Sequence, residues 1–287
     1  MILITGGTGF VGRHIAARLI AQGEPVRLLA RKQVEIAGAE VYPGDVRDVA
    51  SVVSAARGCR AVIHLVGIIR ETRGATFARV HVGGTRSVVQ ACQEAGVARL
   101  LHMSALGARP DGRTAYHRTK WAAEELVRGS GLAATIFRPA VIFGAGGEFI
   151  PTLRQLIHSS SPVIPLLGPG LSLLQPIWIE DVATCYLGAL EKPETEGRAY
   201  ELGGPETFGF EELVDMIAED EGVDKRKLHL PLLLARPAVA VLSRLLPGFP
   251  ITSDQLTMLL EDSVCDIREM RETFGVTPAS LREHLRD

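Results

Sequence analysis

Apolar and polar positions follow two rhythms along this chain. Short, nearly unbroken apolar runs fall at Ile2 to Ile4, Val26 to Ala30, Arg60 to Gly67, Arg99 to Met103 and Ala134 to Arg138. Their length and low alternation are those of strands covered on both faces. Between them apolar residues recur at helical spacing, first at Val11, Ile15, Ala16, Leu19 and Ile20, stopped by Gly23. They recur again at Phe77, Val80, His81, Gly84, Val88 and Cys92, read as one long helix lying on a sheet. Strands alternating with helices predict an α/β chain with a doubly wound parallel sheet and helices on both faces. From Phe149 onward the pattern turns to helices and loops, with helices expected around Pro151 to His158, Phe210 to Glu219, Ser253 to Leu260 and Pro278 to Leu285. The division expected is a dinucleotide-binding domain over 1–145, to which segments near 176–190 return, and a smaller, mostly helical substrate lobe over 146–287.

The first strand runs into Thr5-Gly6-Gly7-Thr8-Gly9-Phe10-Val11-Gly12, and each spaced glycine has its own physical task. Gly6 lets the chain turn off the strand, Gly9 lets a pyrophosphate approach the backbone, and Gly12 lets the helix pack close to the strand. The first free N–H groups of that helix and its positive dipole end then face the phosphates. Gly6, Thr8, Gly9, Phe10, Val11 and Gly12 are therefore the expected cradle. The second strand ends in Arg31 and Lys32, with no carboxylate to receive the adenosine ribose hydroxyls. Two cations there suit the extra phosphate of NADP(H) and favour it over NAD(H); read without a ligand, they are solvated charges beside a loop. Asp45, in Tyr42-Pro43-Gly44-Asp45-Val46, is equally well placed to cap the following helix or turn. His64, inside an apolar run, reads as a hydrogen-bonded core histidine.

Strand Arg99 to Met103 ends at Ser104, and twelve residues later comes Tyr116-His117-Arg118-Thr119-Lys120. The four-residue interval sets Tyr116 and Lys120 one turn apart on one helix face. An ammonium about 4 Å from a phenol, at an effective dielectric near 20, favours the phenolate by about 4 kcal/mol. That is enough to bring a tyrosine from about 10 to near 7 and fit it for proton transfer.

Together, TGGTGFVG at 5–12, the Ser104 strand end and the Tyr116/Lys120 pair resemble the extended and atypical short-chain dehydrogenase/reductase superfamily, which also holds nucleotide-sugar epimerases and dehydratases. HLVGIIRE at 64–71 and HMSALGA at 102–108 look most like bacterial relatives of the nucleotide-binding accessory subunit of respiratory complex I. The resemblance implies a Rossmann fold. It also implies a catalytic set of Tyr116, Lys120 and Ser104, with Ser104 holding the same substrate oxygen as Tyr116. Further cofactor residues follow from it: Asp45 and Val46 at the adenine, Leu65, Val66 and Gly67 beneath the cofactor, Lys120 again, and Arg138 and Pro139 where the chain leaves the cofactor. VHVGGTRSVV at 80–89 is similar to the superfamily's asparagine-x-x-glycine-threonine helix, with His81 standing where asparagine is usual.

Two functions follow from the resemblance. One is an NADP-dependent oxidoreductase or epimerase acting on a carbonyl or hydroxyl of a hydrophobic or quinone-like small molecule. The other is a cofactor-loaded binding or assembly protein. Composition narrows the field further. With 46% hydrophobic and 22% charged residues, the chain has the make-up of a soluble globular protein. The 31 basic and 33 acidic residues are interspersed and leave a net charge of -2, which gives no general attraction to nucleic acid. Cys59, Cys92, Cys185 and Cys265 lie far apart in apolar or helical stretches, and they read as reduced core residues with no metal-ligand spacing. The first strand begins at Ile2, so the expectation is a cytoplasmic protein, with a peripheral position at the inner face of the membrane or on a respiratory complex left open. The most apolar stretch, Leu228 to Phe249, contains three prolines and two arginines, which argues against a membrane span and for burial in the second lobe.

Overall fold

The computed structural model describes residues 1–160, 162–233, 237 and 252–285. The chain begins with β1 (Ile2–Thr5), α1 (Phe10–Ala21), β2 (Val26–Ala30), β3 (Ala39–Pro43), α2 (Val49–Ala56) and β4 (Ala61–His64). It continues with α3 (Gly84–Ala95), β5 (Arg99–Met103), α4 (Ala115–Arg128) and β6 (Ala133–Pro139). With the later strand Ala199–Leu202 these form one seven-stranded sheet, ordered 199–202, β6, β5, β4, β1, β2, β3, with every pair parallel. The order reverses between β1 and β4. In an open parallel sheet that reversal opens a crevice outside the carboxyl ends of the strands, where ligands bind. Thr5 and His64, the last residues of β1 and β4, are register partners at that crevice.

The described residues divide into two compact units. The first comprises Met1–Pro139, Ile179–Leu202 and Asp266–Thr277. Its core on one sheet face is built from Leu3, Val52, Val62, Val88, Cys92 and Leu100, contributed by strands and helices with the expected periodicities. Residues 266–277 return to this unit through the helix Arg268–Phe274, which the sequence reading did not foresee. The second unit comprises Ala140–Trp178, Gly203–Cys265 and Pro278–Asp287. There the helices Phe149–Ser159 and Phe210–Asp220 bury Leu153, Ile157, Leu213 and Ile217 against Phe143 and Phe208.

Several expected boundaries move. β4 stops at His64 rather than Gly67. The long helix expected from Phe77 begins with a six-residue π turn, Ala78–Gly83, before continuing as α3. Residues 278–280 are irregular and 281–285 are turns, where a helix was expected. Of the apolar stretch from Leu228, residues 234–236 and 238–249 lie outside the described residues, and within its described start Leu228 and Leu233 are 49% and 86% exposed. Among the described residues no helix is long and apolar enough to cross a membrane. Cys59, Cys92 and Cys185 are buried and Cys265 is half-buried, and none of the four is in a disulfide. Burial pushes the Cys92 thiol up to about 12, which makes it unreactive.

Candidate active and cofactor site

The glycine turn shows three different environments at its three spaced glycines. Gly6 has φ +81°, a conformation that side chains with a Cβ rarely adopt. A Cβ on Gly12 would sit 2.3 Å from the Gly6 oxygen and 2.5 Å from Gly7 Cα, so the seat of α1 against the turn exists only because that atom is missing. A Cβ on Gly9 would meet one atom, the Gly6 oxygen at 3.3 Å, and its remaining directions are open. Gly9 is the N-cap of α1, has extended backbone and makes no side-chain cap, so the first N–H groups of the helix, beginning at Phe10 and Val11, are free of side-chain acceptors. From Thr8 a groove of about 760 Å³ runs along α1, past Arg13, Ala17 and Ile20, with residues 34–37 as its other wall.

Arg31 and Lys32 follow β2 directly, and both are exposed. Exposed Arg13, on the wall of the groove, is a third cation at this end of the unit. Nothing in the one-dimensional pattern separates Arg13 from an ordinary solvated helix residue; only the groove does. Asp45 is engaged locally. Its Oδ1 accepts from the Arg47 backbone N–H at 2.9 Å and from Nε at 3.0 Å, while Oδ2 accepts from Nη2 at 2.7 Å. These bonds hold the carboxyl below its ordinary range, and the helix that follows is capped by Asp48. Of the two roles open to Asp45, the structure displays the turn-capping one. Its neighbour Val46 is buried against Gly84, where a Cβ would come within 3.2 Å of Val46 Cγ2.

The segment after β4 is held between the glycine turn and the tyrosine helix. Leu65 N–H donates to the Thr5 carbonyl at 3.0 Å, and a Cβ on Gly6 would lie 3.2 Å from the Leu65 carbonyl carbon and from the Val66 nitrogen. Two residues on, a Cβ on Gly67 would lie 3.0 Å from Lys120 Nζ. Gly6, Leu65, Val66, Gly67 and Lys120 thus form one contiguous floor. His64, just before it, bonds Thr5 Oγ1 at 2.7 Å and Thr85 Oγ1 at 3.1 Å, and burial holds its imidazole down at about 3.

Thr114 caps α4 by accepting from His117 N–H at 3.2 Å, which fixes the phase of the helix two residues before Tyr116. Lys120 is buried, and its ammonium donates to the Met103 carbonyl at 3.0 Å, with no carboxylate within 4 Å among the described residues. Burial brings it down to about 8. Tyr116 is half-buried among the rings of Phe77, His81 and His117, with centroids 5.8, 5.4 and 5.5 Å away. Desolvation pushes its phenol up to about 12, where the sequence reading expected a value near 7. The reason is geometric. The ammonium lies 6.0 Å from the ring centroid and is turned to the end of β5. Ser104, at that same strand end, is held by its N–H on the Phe137 carbonyl at 2.7 Å. Its buried Oγ makes no hydrogen bond among the described residues. A buried hydroxyl without a partner costs about 1 to 3 kcal/mol, and a ligand oxygen would relieve it.

Arg138 is held elsewhere. Its guanidinium makes a two-pronged contact with the fully buried carboxylate of Glu124, Nε to Oε1 at 2.9 Å and Nη2 to Oε2 at 2.7 Å, and a third charge, Arg128, joins at 2.5 Å. The guanidinium thereby anchors α4 to β6 through two of its five N–H donors. Pro139 is buried, and its carbonyl accepts from Leu106 N–H at 2.9 Å.

The model of the NAD dependent epimerase/dehydratase family matches residues 2–203. The chain is 30% identical to the mitochondrial NADH dehydrogenase (ubiquinone) 1 alpha subcomplex subunit 9 of Arabidopsis thaliana, over 97% of this chain and 74% of that protein. It is 26% identical to the 2-alkyl-3-oxoalkanoate reductase of Stenotrophomonas maltophilia, over 99% of this chain and 97% of the relative. Its fold is similar to that of a nucleoside-diphosphate-sugar epimerase from Staphylococcus aureus, with TM-score 0.81, 20% identity and coverage of 100% of this chain and 99% of the other.

Proposed function

The chain belongs to the NAD dependent epimerase/dehydratase family, and from that premise we propose that it is an NADP(H)-dependent oxidoreductase or epimerase acting on a carbonyl or hydroxyl of a hydrophobic small molecule. The observation that carries the reading is Lys120: a buried ammonium with a backbone carbonyl for its partner, lying against Gly67 and one turn from Tyr116. A desolvated ammonium with donors to spare suits the hydroxyls of a bound ribose. The open side of Gly9 fits the same ligand, and the buried, unpartnered Ser104 Oγ is left for a substrate oxygen. Arg31 and Lys32, with Arg13 on the groove, supply the positive charge that the extra phosphate of NADP(H) would meet. Asp45, Arg138 and Pro139 are left out of this assignment.

When bound, the dinucleotide supplies or accepts a hydride. The chain's own part is to manage the proton. Tyr116, kept protonated by its apolar surroundings, donates to a carbonyl oxygen or receives the proton back from an alcohol. Ser104 holds that oxygen by a hydrogen bond, and Lys120 fixes the sugar. The hydrophobic substrate class is supported by the oxoalkanoate named for the Stenotrophomonas relative.

The similarity to a respiratory-complex subunit over 97% of the chain supports a second reading, a protein that holds NADPH for binding or assembly without turnover. Under it, association with a respiratory complex or with the membrane surface would follow; under the first reading the protein works in the cytoplasm. Mass spectrometry of small molecules released on denaturation, followed by a screen of carbonyl compounds and quinones with NADPH, separates the two. Released NADPH with no turnover supports the second reading, and neither bound cofactor nor turnover sinks both.

A further inference from the structure

We propose that His81 is the positioning residue of the site, a buried imidazole whose two ring nitrogens tie the segment after β4 to the tyrosine helix. The inference rests on the oxidoreductase reading for its effect on rate but not for its geometry. His81 is buried within the six-residue π turn Ala78–Gly83, a feature frequent at functional sites. Nδ1 lies 2.9 Å from Thr119 Oγ1. The Thr119 hydroxyl has one proton, and its neighbours are the Ala115 carbonyl at 2.8 Å and the Tyr116 carbonyl at 3.0 Å, both acceptors. With its proton on Nδ1 the ring donates to Thr119 and accepts the Ile68 N–H at 3.1 Å; with it on Nε2 the ring donates to the Ile68 carbonyl, also 3.1 Å away, and accepts from the Thr119 hydroxyl, so both nitrogens are bonded in either tautomer. One ring bonds, on one side, the residue following Gly67 and, on the other, the residue preceding Lys120.

The ring also forms a wall of the phenol's pocket. It stacks on Phe77 at 5.3 Å and meets Tyr116 edge-on at 5.4 Å, and its Nε2 would lie 3.7 Å from a Cβ on Gly67. Burial, the ammonium of Lys120 and His64 all press the ring toward its neutral form, opposed by the bond with Ile68. Phe77 and Thr119, its other neighbours, carry no charge. A neutral ring suits this place, since a second cation beside Lys120 would drive charge off one of the two. Loss of the tie would free the Ile68 segment from the helix and admit water to the phenol.

The test uses full-length protein, with His81→Phe, which keeps the stack and removes both bonds, and Thr119→Val, which removes one acceptor and leaves the ring untouched. Nitrogen-15 NMR of the histidine rings, assigned by loss of the signal in His81→Phe, should show a neutral His81 ring that is unchanged as the pH falls to about 4.5. The Tyr116 phenol, read as a near-ultraviolet difference against Tyr116→Phe, should titrate lower in both variants. With a substrate from the screen, kcat should fall by about 10²-fold in His81→Phe with KM little changed, the scale of a misplaced catalytic group. A ring that titrates near its ordinary value overturns the inference, as does an unmoved phenol in a folded His81→Phe protein. If His81→Phe fails to fold, Thr119→Val and the ring signals decide alone. Absence of turnover in the unmodified protein counts against the oxidoreductase reading and leaves the ring and phenol measurements to judge His81.

Discussion

The Lys120 ammonium lies 6.0 Å from the centre of the Tyr116 ring and donates instead to the Met103 carbonyl at 3.0 Å, so two residues on one helix face stand in separate electrostatic environments. Tyr116 keeps its proton up to about 12, and the group that titrates closer to neutrality is Lys120, at about 8. If Lys120 meets the ribose as proposed, NADPH affinity should fall as the pH rises through about 8, because the ammonium loses its charge. Fluorescence titrations from about pH 6 to about pH 9.5 would show this, and Lys120→Met should bind more weakly with no such slope. A slope that survives the substitution would move the effect to another group.

Tyr116→Phe removes one oxygen from a ring packed among three others. Turnover with any substrate found should drop at least about 10²-fold, the usual scale for a general acid or base, while NADPH affinity stays close to that of the unmodified protein. A rate that survives would send the proton chemistry elsewhere.

Gly9 and Gly12 should fail in different ways. Gly9→Val places two methyl groups on the open side of the turn and should abolish dinucleotide binding in a folded protein. Gly12→Ala places a methyl 2.3 Å from the Gly6 oxygen, and both contacts are rigid backbone. It should destabilise the fold by about 3 kcal/mol or more, as overpacking against atoms that cannot move does. Dichroism and denaturant midpoints, measured beside binding, tell the two apart.

Arg31→Asp tests the cofactor choice. If one charge-assisted contact contributes about 1.5 to 3 kcal/mol, the unmodified protein should prefer NADP(H) by about ten- to a hundredfold, and the variant should reverse the order. Calorimetry with both dinucleotides measures it, and equal or tighter binding of NAD(H) by the unmodified protein would remove the argument.

The buried histidines predict acid sensitivity. In the unfolded chain His64 takes up a proton near 6.5, whereas in the folded chain burial delays that to about 3. The unfolded state therefore binds more protons throughout this interval, and stability falls as the pH falls from 6.5 toward 3. Across the full interval the loss from this residue is on the order of 4 kcal/mol. Urea midpoints at about pH 7 and about pH 4.5 should differ accordingly, and His64→Gln should narrow the gap.

Much of this was readable from residue order alone, because the features concerned are local. A strand, a glycine turn and a helix are set by neighbours within twelve positions, so the sheet, α1 and the separate tasks of Gly6 and Gly12 follow from the sequence. The Tyr116 and Lys120 spacing gave their shared face for the same reason. What it could not give is where a long side chain turns. The expected phenol of near-neutral pKa assumed that Lys120 faces Tyr116. Met103, remote in sequence, takes the ammonium instead, just as Glu124 takes the Arg138 guanidinium. Apolar spacing already set His81 on the inward face of its helix, but the π turn there and the bonds to Thr119 and Ile68 leave no mark in it.

Tyr116, Lys120 and Glu124 follow one another at intervals of four along α4, and the third of them, through Arg138, is what fastens the helix to β6. Anchorage and reactivity therefore sit on successive turns of one element and are inherited separately. A lineage that replaced the phenol would keep the buried carboxylate, the sheet and the glycine turn, and with them a protein that still folds around its dinucleotide. Retirement from catalysis would need no rebuilding of the scaffold, and a descendant could be recruited as a static part of a larger assembly with its fold unaltered.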